Sequence, residues 1–171
     1  GRWYWEPAAG DRARGGPPGK STRKRTGVRE SAAGTGVVTR RMAAPLPAAV
    51  SIVAKDRNQP MLDTAAETGT SRPVEWRAAD AMQLPFADGS FDAVVCQFGA
   101  MFFPDRAHAY AEARRVLAPG GVFLFSVWDR IEDNEFTDTI TESLRALFPE
   151  APPRFLARVP HGYHDLAKVA D

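Results

Sequence analysis

The chain has 171 residues, of which 44% are hydrophobic and 25% charged, and these proportions are typical of one soluble globular domain. The net charge of +1 is unevenly distributed: residues 1–26 hold seven Lys or Arg against two acids, so the remainder is mildly acidic. That balance gives no support to a nucleic-acid-binding face. No run of about 18 apolar residues is present, so the sequence predicts no membrane span, and we expect a cytoplasmic protein.

The N-terminal segment 1–26 shows neither helical nor strand periodicity, and it combines a Gly/Pro-rich stretch at 15–19 with a basic run at 23–25. We interpret it as a disordered basic leader, with the folded domain at 27–171. A tail for nucleic acid or anionic membranes is the alternative that its charge leaves open. The one cysteine, Cys96, lies in an apolar run, which predicts a buried thiol in a reducing compartment.

The segment 30–36, ESAAGTG, is the first candidate for ligand binding. Its glycines allow the backbone to approach a ligand, and a helix predicted from Gly36 to about Ala44 would present free N–H groups. A strand at 27–31 should precede it, although Arg29 and Ser31 stand where a buried parallel strand favours aliphatic residues. We expect either that this strand frays or that Arg29 pairs with an acid. Alone, such a triplet of Gly, Thr and Gly is more often an ordinary turn.

Strands and helices then alternate along the chain. The sequence predicts strands at 50–54, 74–78, 91–98 and 122–127 and a tight turn at 119–121. It predicts a helix from about 105 to 117 and a last helix of about 13 residues around 136–147. It also predicts a helix that Asn58 caps, with one core face formed by Met61, Leu62, Ala65 and Ala66. The last helix repeats four apolar residues at helical spacing, so we expect it to pack on the sheet: Phe136, Ile140, Leu144 and Leu147. The alternation predicts an α/β fold, a Rossmann-like doubly wound parallel sheet with helices on both faces.

Ligands of such sheets bind at the carboxyl ends of the strands. Asp56 follows the second strand, twenty residues after Gly36, where a carboxylate can hold both ribose hydroxyls; a helix N-cap is the alternative role. Asp80 could accept a hydrogen bond from an adenine amine, and Ala81 and Met82 would add backbone groups. Dinucleotides and adenosine-containing sulfonium compounds both remain possible ligands. Thr39 occupies the position of the third glycine in the dinucleotide motif, which disfavours a pyrophosphate.

Five motifs together resemble the class I S-adenosylmethionine-dependent methyltransferases, most of all the branch with the ubiquinone and menaquinone C-methyltransferases. They are the segments 30–36, 80–81, 84–92 (LPFADGSFD) and 114–121 (RRVLAPGG), together with Asp56. The resemblance covers residues 27–165. It implies S-adenosyl-L-methionine as cofactor, a small-molecule methyl acceptor and no metal. The family's sheet ends with two further strands, so the resemblance also implies that a C-terminal antiparallel hairpin is missing and that the edge at 122–127 is uncovered.

The resemblance assigns the cofactor contacts. Glu30 and the backbone from Ala33 to Gly36 would line the methionine part, and Asp56 the ribose. Asn58 and Met61 would flank the adenosine, Asp80 and Ala81 the adenine, and Gln97 with Phe98 the floor under the sulfonium. The full set of candidate cofactor residues is Glu30, Ala32, Ala33, Gly34, Thr35, Gly36, Asp56, Asn58, Met61, Asp80, Ala81, Met82, Gln97 and Phe98, in which Ala32 replaces a frequent glycine.

A general base is needed only if the acceptor must lose a proton. His161, Tyr163 and His164 are the clustered candidates, and an ordinary proline-flanked surface loop is the alternative. Three functions follow from the sequence: a methyltransferase, a truncated or inactive fold of that kind acting as a binding module, and a dinucleotide-dependent oxidoreductase.

Overall fold

The computed structural model describes the backbone of residues 2–7 and the whole of residues 27–165. Its sheet has six strands: β1 Arg2–Pro7, β2 Val28–Ser31, β3 Ile52–Asp56, β4 Glu75–Ala78, β5 Phe91–Gln97 and β6 Leu117–Val127. The helices are α1 Val37–Ala43, α2 Gln59–Thr68, α3 Arg106–Val116, α4 Glu135–Leu147 and α5 Phe155–Arg158, with short 3-10 turns at Ala100–Phe102 and Ile131–Asp133.

The strands lie in the order β1-β6-β5-β2-β3-β4. The pairs from β6 to β4 are parallel, and β1 is antiparallel to β6. The chain therefore runs outward from β2 in two directions, through β3 to β4 and through β5 to β6. The position between β2 and β5 is the switch point at which such sheets bind ligands.

The antiparallel pair corrects two expectations. Residues 2–7 form a strand, with Arg2 opposite Val127 and Pro7 opposite Val122, where we predicted disorder. The same pairing covers the edge at 122–127 that we predicted to be open. An unpaired edge strand offers a row of free N–H and C=O groups, and here residues 2–7 pair with that row. The rest of the predicted leader, residue 1 and residues 8–26, lies outside the described residues.

The helices cover both faces of the sheet, as predicted. One face carries Arg29 and Val53, and there Val94 packs with Ala113 and Val116 of α3.

The opposite face carries Glu30, whose carboxylate accepts a hydrogen bond from Thr39 of α1. On that face a Cβ at Gly36 would lie 2.6 Å from the Trp76 ring, so only glycine fits where α1 begins.

Two motifs of the resemblance are joined by Arg115 of α3. Its guanidinium donates to the carbonyl oxygens of Leu84 and Phe86 at 2.9 and 2.8 Å and to the Asp88 carboxylate at 2.7 Å. Glu112 accepts from the Leu84 N–H at 2.8 Å. The segment 84–88 is thus fixed by the last turns of α3, which explains why the two motifs occur together.

The predicted turn at 119–121 lies inside β6. Phe91 pairs with Leu117 and Ala93 with Val122, so the extra residues between these pairs form an irregularity in one long strand. Gly120 has φ 76°, a conformation that glycine adopts freely, and this allows the strand to continue through the bulge.

Helix α4 has the predicted length but not the predicted packing. None of its residues is buried, and Phe136 and Leu147 are 76% and 72% exposed. Its apolar periodicity therefore describes an amphipathic helix and not a contact with the sheet. Among the residues that the structure describes, no helix has the length and apolar character needed to cross a membrane.

Arg29 is fully buried in β2, and the strand around it is regular. Neither predicted outcome occurs, since the strand does not fray and the guanidinium has no acid partner among the described residues. It donates to Ser31 Oγ at 2.6 Å and lies 5.3 Å from the centroid of the Phe86 ring. Its Nε and Nη1 have no partner in the described part of the chain.

Candidate cofactor site

A cavity of about 560 Å³ opens at the carboxyl ends of β2, β3, β4 and β5. This volume falls within the range of small-molecule sites in proteins. Six of its lining residues come from the loops after β2, β3 and β4, one comes from α2, and five follow β5. The other two, Lys55 and Asp56, come from the end of β3. The lining is Ala32, Lys55, Asp56, Arg57, Asn58, Met61, Ala79, Asp80, Ala81, Phe98, Gly99, Phe102, Phe103 and Pro104.

Asp56, the last residue of β3, is fixed by two backbone donors. Its Oδ2 accepts from the Gly34 N–H at 2.8 Å, and its Oδ1 accepts from the Asn58 N–H at 2.9 Å. The carboxylate thereby links the glycine turn to the start of α2. Each oxygen keeps a lone pair for a further donor, which is the arrangement that a diol such as ribose requires.

Asn58 caps α2, as predicted, with its Oδ1 accepting from the Met61 N–H at 3.2 Å. This cap places Met61 at the cavity, where its side chain is 43% exposed. We predicted that Met61 would share the core face of the helix with Leu62 and Ala65. Only Leu62 and Ala65 are buried, because Met61 lies one residue round the helix and faces the opening.

Asp80 follows β4 on the other side of the cavity. Its Oδ1 accepts from the Met82 N–H at 3.0 Å, and its Oδ2 lies 3.6 Å from Nε of Arg57. Both side chains of this ion pair are well exposed, so the pair is weak and either partner can turn to a ligand. Met82 itself is absent from the cavity lining.

Two residues of the cavity lining, Ala32 and Phe98, have strained backbone conformations. Among the described residues, only Ala32 and Phe98 have positive φ outside glycine, at 60° and 51°. Phe98 is held by stacking on Trp128, with ring centroids 4.2 Å apart and planes at 5°. Ala32 contacts the backbone of Gly99, where an added Cβ would lie 2.4 Å from the Ala32 Cβ. A glycine at position 32 would relieve this conformation.

Two buried ionisable groups adjoin the site on opposite faces of the sheet. Burial raises the pKa of Glu30 to about 7, against the lowering effect of its hydrogen bond from Thr39. Burial, together with the charge of Arg29, lowers the pKa of Lys55 to about 7. Perturbed groups of this kind cluster at functional sites.

The structure brings some of the predicted residues together and not others. Ala32, Asp56, Asn58, Met61, Asp80, Ala81 and Phe98 line the cavity. The glycine turn adjoins it through the Gly34 to Asp56 hydrogen bond. The remaining candidates do not line it: Glu30, Ala33, Gly34, Thr35, Gly36, Met82 and Gln97.

The three base candidates also lie outside this lining. His161 and Tyr163 are buried, so the surface-loop interpretation is wrong for them. The Nδ1–H of His161 donates to the Asp129 carbonyl at 2.7 Å, and the hydroxyls of Tyr110 and Tyr163 are 3.1 Å apart. His164 Nδ1 lies 2.6 Å from the His161 carbonyl oxygen. Each of these contacts fastens the C-terminal loop.

Sequence reasoning missed several lining residues, chief among them Lys55 and Arg57. Lys55 could have been noticed because, like Arg29, it is a charged residue in an otherwise apolar strand. The aromatic residues of the rim, Phe102 and Phe103, gave no such signal, since they precede a proline in an unremarkable loop.

The open parallel sheet, with its cavity at the switch point, defines a Rossmann-like α/β fold of the methyltransferase type. The chain belongs to the methyltransferase domain family, whose profile matches residues 30–125. A demethylmenaquinone methyltransferase of Thermus thermophilus is 42% identical over 96 residues, which are 55% of this chain and 43% of that protein.

The ubiquinone/menaquinone biosynthesis C-methyltransferase UbiE of Geotalea uraniireducens is 36% identical over 98 residues, 55% of this chain and 42% of that protein. The crystal structure of a putative methyltransferase from Bacillus halodurans superposes with a TM-score of 0.55 and 29% identity, covering 73% of this chain and 54% of that one. The chain thus spans less than half the length of the two curated relatives.

Proposed function

We propose that this chain binds S-adenosyl-L-methionine in the cavity and supports methyl transfer to a small-molecule acceptor. The observation that carries the proposal is the fixed carboxylate of Asp56 at the carboxyl end of β3, which lines a cavity of about 560 Å³ together with Asp80. Membership of the methyltransferase family supports the same conclusion.

The residues fit this cofactor. Asp56 would hold the ribose hydroxyls with its free lone pairs, and Asp80 would accept from the adenine amine once Arg57 turns aside. Met61 and Phe98 offer apolar surfaces to either side of an adenosine. Acids near the glycine turn, Asp56 and Glu30, suit a cationic ligand better than a pyrophosphate, which favours the sulfonium compound over a dinucleotide.

When bound, the cofactor supplies an activated methyl group for direct displacement, and the chain supplies alignment. The stacked Phe98 and Trp128 rings give the cavity floor a fixed position. The aromatic rim, Phe102 and Phe103, would place apolar surface beside the reacting atoms. Lys55 lines the cavity, and because burial lowers its pKa to about 7, its neutral amine can accept a proton near neutrality.

For the acceptor we propose a ring of the quinone type. The names of the two curated relatives point to such substrates. The cavity rim supports it, because Phe102 is 53% exposed and Met61 43% exposed beside the opening, where they present apolar surface to a flat ring.

Isothermal titration with S-adenosylhomocysteine and with NAD tests the proposal. We expect the first to bind and NAD not to bind. Replacing Asp56 by Ala should weaken binding by about 1.5–3 kcal/mol, the scale of a hydrogen bond to a charged group. Asp138→Asn on α4, which lies away from the cavity, is the matched control and should leave the affinity unchanged. Binding of NAD alone would favour the oxidoreductase, and binding of neither would favour an inactive fold.

A further inference from the structure

The position of Lys55 is the starting point. It is the penultimate residue of β3, only 1% exposed, and its side chain lines the cavity. The Nζ donates to the Ala79 carbonyl at 3.5 Å, a long hydrogen bond that leaves most of its donor capacity unused. No ion pair joins Lys55 to an acid of the described chain.

Its neighbours on the same sheet face add positive charge. Lys55 pairs in register with Ser31, and Arg29 pairs with Val53, so the two cations are two register steps apart on adjacent strands. Arg29 brings its own unpartnered Nε and Nη1. The thiol of Cys96 on β5 stays protonated, because burial raises its pKa to about 12.

None of the nearby acids in the described part of the chain forms a hydrogen bond or an ion pair with Lys55. Asp56 accepts from the N–H groups of Gly34 and Asn58, and Asp80 from Met82 while it pairs with Arg57. Glu30 lies on the opposite face of the sheet and accepts from Thr39. The protonated amine of Lys55 therefore adds a positive charge to the cavity lining that no ion pair or hydrogen bond to an acid offsets among the described residues.

We propose that Lys55 is a specificity-determining residue of the cofactor site, whose ammonium favours the neutral thioether S-adenosylhomocysteine over the sulfonium S-adenosylmethionine. The inference rests on the proposed function. The two ligands share their adenosyl and amino-acid groups and differ by one methyl group and one positive charge, so a buried cation beside the cavity acts on their difference. In a site of low dielectric constant that repulsion extends over several ångströms.

The consequence is a dependence on pH. Because burial and Arg29 lower the pKa of Lys55 to about 7, its charge is present below neutrality and lost above it. The sulfonium should gain affinity relative to the thioether as pH rises. Glu30 also loses its proton near pH 7, and its negative charge would likewise favour the sulfonium as pH rises. The effect of Glu30 on the ratio of affinities is therefore removed with a separate variant.

The test compares dissociation constants of the two ligands by isothermal titration at about pH 6 and pH 8.5. Lys55→Met keeps the length of the side chain and removes the charge. We expect it to lower the ratio of the sulfonium's dissociation constant to the thioether's by roughly three- to tenfold at the lower pH. Arg57→Met is the matched control, because it removes another cation of the cavity lining by the same kind of substitution and should preserve the pH dependence of the ratio.

An unchanged ratio in Lys55→Met, with both ligands bound, overturns the inference and leaves the proposed function standing. Failure of both ligands to bind the wild type overturns the proposed function as well. If Lys55→Met does not fold, Glu30→Gln decides: a ratio that still falls from pH 6 to 8.5 supports Lys55, and a ratio that no longer changes refutes it.

Discussion

Ala32 shows at the scale of one residue how the site departs from an ideal turn. Its φ of 60° lies in the left-handed region, which costs a residue with a Cβ about 1–2 kcal/mol. The conformation follows from its place between the end of β2 and the glycine turn, where its Cβ also meets the backbone of Gly99.

Ala32→Gly should therefore raise the free energy of unfolding by up to about 1 kcal/mol, since the relieved strain exceeds the added freedom of glycine in the unfolded chain, about 0.4–1 kcal/mol. Urea denaturation measures the change. Ala33→Gly, at the neighbouring position without positive φ, is the control and should lower stability. A loss of stability in Ala32→Gly would show that the Cβ contributes packing that outweighs its strain.

Two buried groups, Glu30 and Lys55, predict an unusual dependence of the free energy of unfolding on pH. Between pH 4.5 and about 7 the folded state keeps the Glu30 proton that the unfolded chain releases, so the free energy of unfolding falls as pH rises. Between about 7 and 10.5 the unfolded chain keeps the Lys55 proton that the folded state has lost, so the free energy rises. Each slope reaches at most about 1.4 kcal/mol per pH unit.

These two groups together give a stability minimum near neutrality. Urea denaturation at about pH 5, 7 and 9 should reveal it. Glu30→Gln should flatten the acidic branch and Lys55→Met the alkaline branch. A wild-type profile with its maximum near pH 7 would refute the assignment of these groups.

Among the elements, β2 is a regular strand although it carries a buried cation, Arg29. Its pairing on both sides, with β3 and β5, holds Arg29 in place without an acid partner. Arg29→Leu should raise the free energy of unfolding by about 1–4 kcal/mol, because it removes an unpaired buried charge. Arg41→Leu on the exposed side of α1 is the control, with an expected change within about 0.5 kcal/mol. A destabilised Arg29→Leu variant would mean that the guanidinium's contacts to Ser31 and Phe86 outweigh its burial.

Helix α4 differs from β2, because no residue of its apolar stripe is buried. Phe136→Ser and Leu147→Ser should each change the free energy of unfolding by no more than about 0.5 kcal/mol. Leu62→Ala in the buried face of α2 should cost about 2–5 kcal/mol under the same conditions. Losses of comparable size in α4 would show that its stripe is buried in solution.

At the scale of the whole molecule, the order of strands and helices could be predicted because each has a local signature. Apolar runs such as 93–96 mark buried strands, and Asn58 marks the start of α2. Asp56 and Asp80 could be placed at one edge, since parallel strands end together. The non-local features could not be predicted: the pairing of 2–7 with β6 depends on which edge is free. The exposure of α4 depends on what else packs on the sheet, and the role of Lys55 depends on the neighbouring Arg29.

The most direct test of the central claim is amide chemical-shift mapping of the chain with S-adenosylhomocysteine. We expect the largest chemical-shift changes at the backbone amides around the carboxyl ends of β2 to β5, namely those of Gly34, Asn58, Ala81 and Gly99. The amides of α4 should be unaffected. Changes confined to α4 or to the loop after it, or no changes at concentrations that saturate a related methyltransferase, would contradict the central claim.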